Sequence, residues 1–179
     1  MLELNRLTSE YIETEDRFRL TGEDQEGNAL CLWLTQRLAL RIVTHIIGSI
    51  SSSSPEAIQN PSHDNDTNNL LQSSAQEAAK QGFTPQEAVI GSSDSANMLV
   101  TEVDINRSEE GVVGFIFKDG NSEDVALGFE PQQLRQWLII MHGQWLKAEW
   151  PETVWPEWIT GQTLTDIPES EKLANSSVH

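Results

Sequence analysis

Polar and apolar residues alternate through Arg17-Phe18-Arg19-Leu20-Thr21, the two-residue period of a half-buried strand. A strand over Leu4–Ile12 is expected before it, and a turn rich in Gly, Asp, Glu and Asn over Gly22–Asn28 after it. The next segment, Ala29–Leu34, is apolar on both faces, with Leu30, Leu32 and Leu34 on one and Cys31 and Trp33 on the other. Such a strand needs cover on both sides. Beyond Thr35, an expected N-cap, the period becomes helical. Leu38, Ile42 and Ile46 form one apolar line and Ala39, Val43 and Ile47 an adjacent one, so a helix is expected over Gln36–Ile47, stopped by Gly48.

The pattern then returns. Met98–Ile105 and Val112–Lys118 read as strands, the second with Val113, Phe115 and Phe117 on one face. Asp119-Gly120-Asn121 signals a hairpin, and Val125, Leu127 and Phe129 line the returning strand. Glu130-Pro131 opens a helix whose stripe is Leu134, Trp137, Leu138, Met141, Trp145 and Ala148, with Pro151 as its stop. Phe18-x-Leu20 matches Phe115-x-Phe117, and Leu30-x-Leu32-x-Leu34-Thr35 matches Val125-x-Leu127-x-Phe129-Glu130. The expected fold is therefore α+β: tandem pseudo-symmetric repeats of three antiparallel strands followed by a helix, at residues 1–48 and 97–150. A unit of about fifty residues makes a marginal core, so the two are expected to pack as one pseudo-symmetric domain.

Residues 49–96 are expected to be a flexible polar linker with short helices. Ser51–Ser54 is a serine run, and Gln59–Asn69 contains no apolar residue to offset the entropy of ordering. Leu70–Gln81 reads as a short helix, and Thr84-Pro85-Gln86-Glu87 as a capping box opening one more turn that ends near Gly91. Residues 151–179 form a tail with Trp and Pro, polar and frayed beyond Gly161.

The net charge is −17, from 28 Asp and Glu against 11 Lys and Arg. Such a field repels phosphate backbones and anionic membranes, and suits solubility, a basic partner or mimicry of nucleic acid. The local exceptions are Arg37 and Arg41, one helical turn apart, with Arg17 and Arg19 on a nearby strand; a solvated face is the simpler reading of them. Cys31 is the only cysteine, in an apolar run, and reads as a buried inert thiol. No signal-peptide pattern and no apolar run of the roughly 20 residues that span a bilayer is present, so a cytoplasmic protein is expected.

No phosphate-binding loop, dinucleotide fingerprint or nucleophile elbow occurs, and no catalytic, cofactor or metal site is expected. His45 and His142 fall at corresponding places in the two helices and read as helix-flank residues; His63-Asp64-x-Asp66 lies in the linker and His179 ends the chain. Asp119-x-Asn121-x-Glu123 with Glu130 has calcium-loop spacing, but Asp124 stands where that loop requires glycine, so a hairpin turn is expected. The tryptophans are the unusual feature. Trp137 and Trp145 lie on a helix stripe and read as core, whereas Trp150, Trp155 and Trp158 punctuate a short Pro- and Glu-containing segment. Tryptophan concentrates at interface hot spots; the simpler reading is that the segment folds back to cover the chain's own sheet. The expected function is a non-enzymatic, acidic interaction or assembly module, acting through a protein partner or self-association as a homo-oligomer, with Trp150, Trp155, Trp158 and Trp33 as contact residues. Strand-rich tandem repeats that each end in a helix are similar in architecture to the Whirly and PUR proteins. That resemblance implies the alternative, a single-stranded nucleic-acid-binding regulator, which the net negative charge opposes.

Overall fold

The computed structural model describes residues 1–52, 64–161 and 177–178. The first part of the chain forms β1 (Leu2–Ile12), a 3-10 turn (Glu13–Glu15), β2 (Arg17–Asp24), β3 (Ala29–Thr35) and α1 (Gln36–Ser52). A second helix, α2 (Asp64–Gln81), precedes β4 (Ala96–Leu99), β5 (Glu102–Arg107), β6 (Val113–Lys118), β7 (Val125–Phe129) and α3 (Pro131–Lys147). A 3-10 turn (Glu152–Val154), the short α4 (Glu157–Thr160) and β8 (Ser177–Val178) follow. The fold is α+β, and among the described residues no helix is long and apolar enough to cross a membrane.

One mixed sheet holds the strands in the order β4-β3-β2-β1-β7-β6-β5, with β8 added beside β1. β1 and β7 are parallel, as are β3 and β4, and the other pairs are antiparallel. The strands at the two ends of this order, β4 and β5, are consecutive in the chain. Val100 N donates to the Trp33 carbonyl at 3.0 Å on the β3 side, and Thr101 N to the Lys118 carbonyl at 2.9 Å on the β6 side. The sheet therefore curls until its two ends meet at this two-residue hinge. The single strand expected over Met98–Ile105 is thus two strands gripping opposite flanks. A strand has one hydrogen-bonding edge on each side, and here the two edges find different partners in succession. Past the hinge β5 runs with β6 alone, and no strand of the described residues lies along its other edge.

The inward positions follow the sequence pattern: Phe18 and Leu20, Leu30, Leu32 and Leu34, Phe115 and Phe117, and Val125, Leu127 and Phe129 are all buried. They belong to one hydrophobic core that continues into α1 and α3. Turns follow the local chemistry. Asp24 accepts from the backbone of Glu26 and Asn28 at 2.9 and 2.8 Å, with Gly27 at φ 84°. Asp119 accepts from the backbone of Asn121 and Ser122 at 2.8 and 2.7 Å and from the Ser122 hydroxyl at 2.9 Å, with Gly120 at φ 78°. Thr35 Oγ1 caps α1 through Leu38 N at 3.3 Å, and Glu130 N donates to Gln133 Oε1 at 2.9 Å at the start of α3.

α3 departs from the single stripe expected of it. Ile139, Ile140, His142 and Gln144 are buried as well as the stripe, as befits a helix covered on every side. Its sheet side is pinned by Trp137 Nε1 donating to Ser9 Oγ at 3.0 Å and Tyr11 N donating to Gln144 Oε1 at 3.0 Å. Its far side is covered by α2, where Gln136 Nε2 donates to the Ala79 carbonyl at 3.0 Å. Parts of the segment expected to be a flexible linker are therefore structural. α1 runs through Gly48 to Ser52, and α2 begins at Asp64 and packs against α3 and α4. Residues 53–63, with His63, and 162–176, with most of the frayed tail, lie outside the described residues, as does His179. The capping box at Thr84 opens no helix; residues 83–91 belong to neither helix nor strand. They cross the outer face of the sheet, where Val89 is buried and its N–H donates to Thr8 Oγ1 at 2.8 Å. A Cβ on Gly91 would stand 2.9 Å from Cys31 Sγ. An isolated helical turn carries a nucleation cost that this burial outweighs, and the strap supplies the second cover that β3 requires.

Two measurements check this account. Ser9→Ala leaves the buried Trp137 N–H without its acceptor and is expected to cost about 1–3 kcal/mol in urea unfolding. The hydrogen bonds donated to Asp119 hold its carboxyl below the ordinary 3.8. Their contribution is complete above the unfolded value and is lost as pH falls through the lower folded value. The stability gap between the parent and Asp119→Ala is therefore expected to be constant near neutrality and to close as pH drops below 3.8.

Candidate functional site

The buried line of α1, Ala39, Ile42, Val43 and Ile46, faces the sheet. That phase sends Arg37, Arg41 and His45, spaced by four, along one flank of the helix, and all three are exposed. Opposite them runs β5, whose Val103 and Ile105 pack on the core while only half-buried. Two adjoining depressions separate helix and strand, and share His45 and Ile105. The outer one is bounded by Leu38, Arg41, Thr101, Glu102 and Val103. The inner one is a cavity of about 260 Å³ reaching Ile50, Arg107, Val113, Leu134 and Arg135. Together they form a groove with a largely apolar floor, bordered by Arg41, Arg107 and Arg135 and, at its outer end, by Glu102.

Arg135 projects from α3 into the inner cavity and is held by neutral groups. Its Nη1 donates to Gln76 Oε1 at 3.2 Å and its Nη2 to Gln72 Oε1. Its guanidinium lies 5.5 Å from the centre of the Trp158 ring. Gln76 in turn donates to the Arg135 carbonyl at 2.9 Å. Gln72 and Gln76 are buried. Burial draws the Arg135 pKa down from the ordinary arginine value, because desolvation opposes the charged form. Arg135, Arg37 and Arg41 make no ion pair among the described residues, whereas Arg6 pairs with Glu23, Arg19 with Glu10 and Lys118 with Asp104. Arg17, in register with Thr35, adjoins the same end of α1. Among the described residues no Asp or Glu lines the inner cavity.

The sequence candidates are placed elsewhere. Trp150, Trp155 and Trp158 retain 6%, 6% and 3% of their surface, so they are core and offer almost nothing to a partner. The reason is local: an aromatic cluster at the end of α3 needs closing, and the chain folds back to close it. Trp150 packs on Phe18 and Trp145 with ring centres 4.8 and 5.1 Å apart, and donates to Asp16 Oδ1 at 3.0 Å. Trp155 packs on His142 and Trp145 at 5.0 and 5.5 Å, and His142 Nε2 meets Glu152 Oε2 at 3.1 Å. Trp33 alone of the four keeps partial exposure; its N–H donates to Asn97 Oδ1 at 2.9 Å and the Arg19 guanidinium stands 5.8 Å from its ring centre. His45 and His142 do not share a site: one borders the groove and the other is sealed among aromatics. Among the described residues no group of His, Cys, Asp and Glu could hold a metal ion. Cys31 is buried beside Thr21.

Arg37 and Arg41 were visible in the sequence as a pair one turn apart, but Arg135, Gln72 and Gln76 were not. The available signal was a pair of glutamines four apart on an otherwise weakly apolar helix, and an arginine flanked by Leu134 and Trp137. The curled mixed sheet and the groove between α1 and β5 define an α+β protein with an open cleft bordered by arginines. No family model, no curated protein and no solved structure matches the chain.

Trp155→Ala is expected to lower stability by about 3–5 kcal/mol, the usual cost of emptying a large aromatic site in a core. Urea unfolding followed by circular dichroism measures it; a change below about 1 kcal/mol would mark a surface residue instead.

Proposed function

We propose that this chain is a non-enzymatic interaction module that binds an acidic, partly apolar polypeptide segment in the groove between α1 and β5. One observation carries the reading: two arginines that make no ion pair among the described residues, Arg41 and Arg135, line one apolar-floored cleft of a protein with net charge −17, and Arg37 lies one turn from Arg41 on the same exposed flank of α1. On the strands, by contrast, Arg6, Arg19 and Lys118 are ion-paired with acidic residues. The outer edge of β5, with no strand of the described residues beside it, offers backbone groups to an extended segment. The buried polar side chains support a binding role over catalysis, since Ser9, Thr8, Gln76, His142 and Gln144 are each engaged in structural hydrogen bonds. A nucleic-acid partner is disfavoured because the tail tryptophans are enclosed and supply no stacking face.

The architecture behind the groove is read as a tandem strand–helix repeat making a single domain. It is supported by the Asp-capped turns at Asp24 and Asp119, by the helices that follow β3 and β7, and by the two parallel seams β3–β4 and β7–β1. A cytoplasmic setting is the companion proposal, supported by a single, buried, unpaired cysteine.

Fluorescence anisotropy tests the reading with a labelled peptide of alternating Glu and Val, its Lys and Val counterpart, and oligothymidine. The Glu and Val peptide is expected to bind, to weaken with salt, and to lose about tenfold or more in affinity with Arg37→Glu/Arg41→Glu. Oligothymidine binding in its place, lost in the same variant, would transfer the groove to nucleic acid; binding of neither defeats the reading.

A further inference from the structure

We propose that the inner end of the groove is a carboxylate-binding site centred on Arg135, taking a carboxylate carried on a short apolar body. On the reading of the groove given above, from which this extends, the carboxylate is the C-terminus of the bound segment. Among the described residues the lining carries charge of one sign only. Arg135 and Arg107 line the cavity with His45, and no described Asp or Glu does. The remaining wall is aliphatic, from Ile46, Ile50, Ile105, Val113 and Leu134.

Arg135 is built to hold its charge ready for a ligand. A guanidinium has five N–H donors in a planar fork. The side chains of Gln72 and Gln76 accept one hydrogen bond from each terminal nitrogen, and the Trp158 ring lies close by. These contacts fix the plane of the fork without neutralising it, because glutamine brings an oxygen and no charge. A planar fork with donors remaining matches a carboxylate in bidentate geometry. Inorganic phosphate lacks the apolar body that the aliphatic wall would cover. A cavity of about 260 Å³ lies just below the span of roughly 300–1,000 Å³ that encloses drug-sized ligands, which suits a small carboxylate.

Isobutyrate, its neutral isostere isobutyramide and inorganic phosphate are the probes, each titrated against the full chain while tryptophan fluorescence and calorimetric heat are read. Isobutyrate is expected to saturate, with isobutyramide at least about tenfold weaker for want of the charge. Gln72→Glu places a carboxylate of the protein's own on Arg135; it is expected to keep the parent circular dichroism and lose isobutyrate. Ile50→Trp, which fills the cavity from α1 without touching the contacts of Arg135, is expected to lose it too, so the test survives if one variant unfolds. Equal binding of isobutyramide, tighter binding of phosphate, or no saturation overturns the site. The groove and the cavity separate cleanly: Arg37→Glu/Arg41→Glu is expected to retain isobutyrate while losing the Glu and Val peptide. Isobutyrate binding without any peptide binding removes the groove reading and leaves the carboxylate site standing. Tighter binding of the peptide as free acid than as C-terminal amide supports the terminal carboxylate as its source; equal binding overturns that source and assigns the site to a free small carboxylate.

Discussion

A helix with apolar residues on every side must be enclosed, and the enclosure of α3 organises the rest of the molecule. Its sheet side is met by strands from both halves of the chain, pinned through Ser9 and Gln144. Its outer side is met by α2, and its C-terminal end by the returning tryptophans. None of these covers suffices alone. The burial of large aromatic side chains around Trp137 and Trp145 is the dominant favourable term, and each surrounding element is where it is because part of that surface would otherwise be wet.

The strands and the two long helices α1 and α3 were legible because their residues obey one period at a time. Phe18 and Leu20, Phe115 and Phe117, and the lines of α1 all face the interior as the pattern implied. The sheet's curl was not legible. Met98–Ile105 reads as one strand, and only the hydrogen bonds of Val100 and Thr101 reveal that its two parts serve different neighbours. The strap over Thr8 and Cys31 was missed because local capping chemistry at Thr84 competes with a distant burial site for Val89. The tail tryptophans left two readings open for a related reason. Residue type marks a side chain that needs an enclosed place, and type alone does not distinguish a place in a partner from one in the chain itself. Of the candidate site, Arg37 and Arg41 were visible through helical spacing, while Arg135 needed the third dimension to bring α2 beside α3.

The electrostatic design is one of segregation. Acidic residues pair with most of the cations on the strands, at Arg6, Arg19 and Lys118. The flank of α1 and the start of α3 are spared. Surface pairs of this kind contribute little to stability, so their distribution matters more for where the field of the protein changes sign. Arg41 and Arg135 border a cleft with an aliphatic floor, where desolvation strengthens whatever charge contact is made.

The placement of β1 has a consequence for how the chain acquires its structure. Leu2–Leu4 pair with Val125–Leu127, and Leu7–Thr8 pair with Ser177–Val178. The strand at the middle of the sheet thus waits for partners made much later in the chain. Interactions so remote in sequence slow folding, because loop entropy is lost before contacts compensate. On the ribosome β1–β3 and α1 would stand for a time with one flank of the sheet and much of the core-facing surface uncovered. A nascent chain in that condition is the form most exposed to misassembly and most dependent on chaperones.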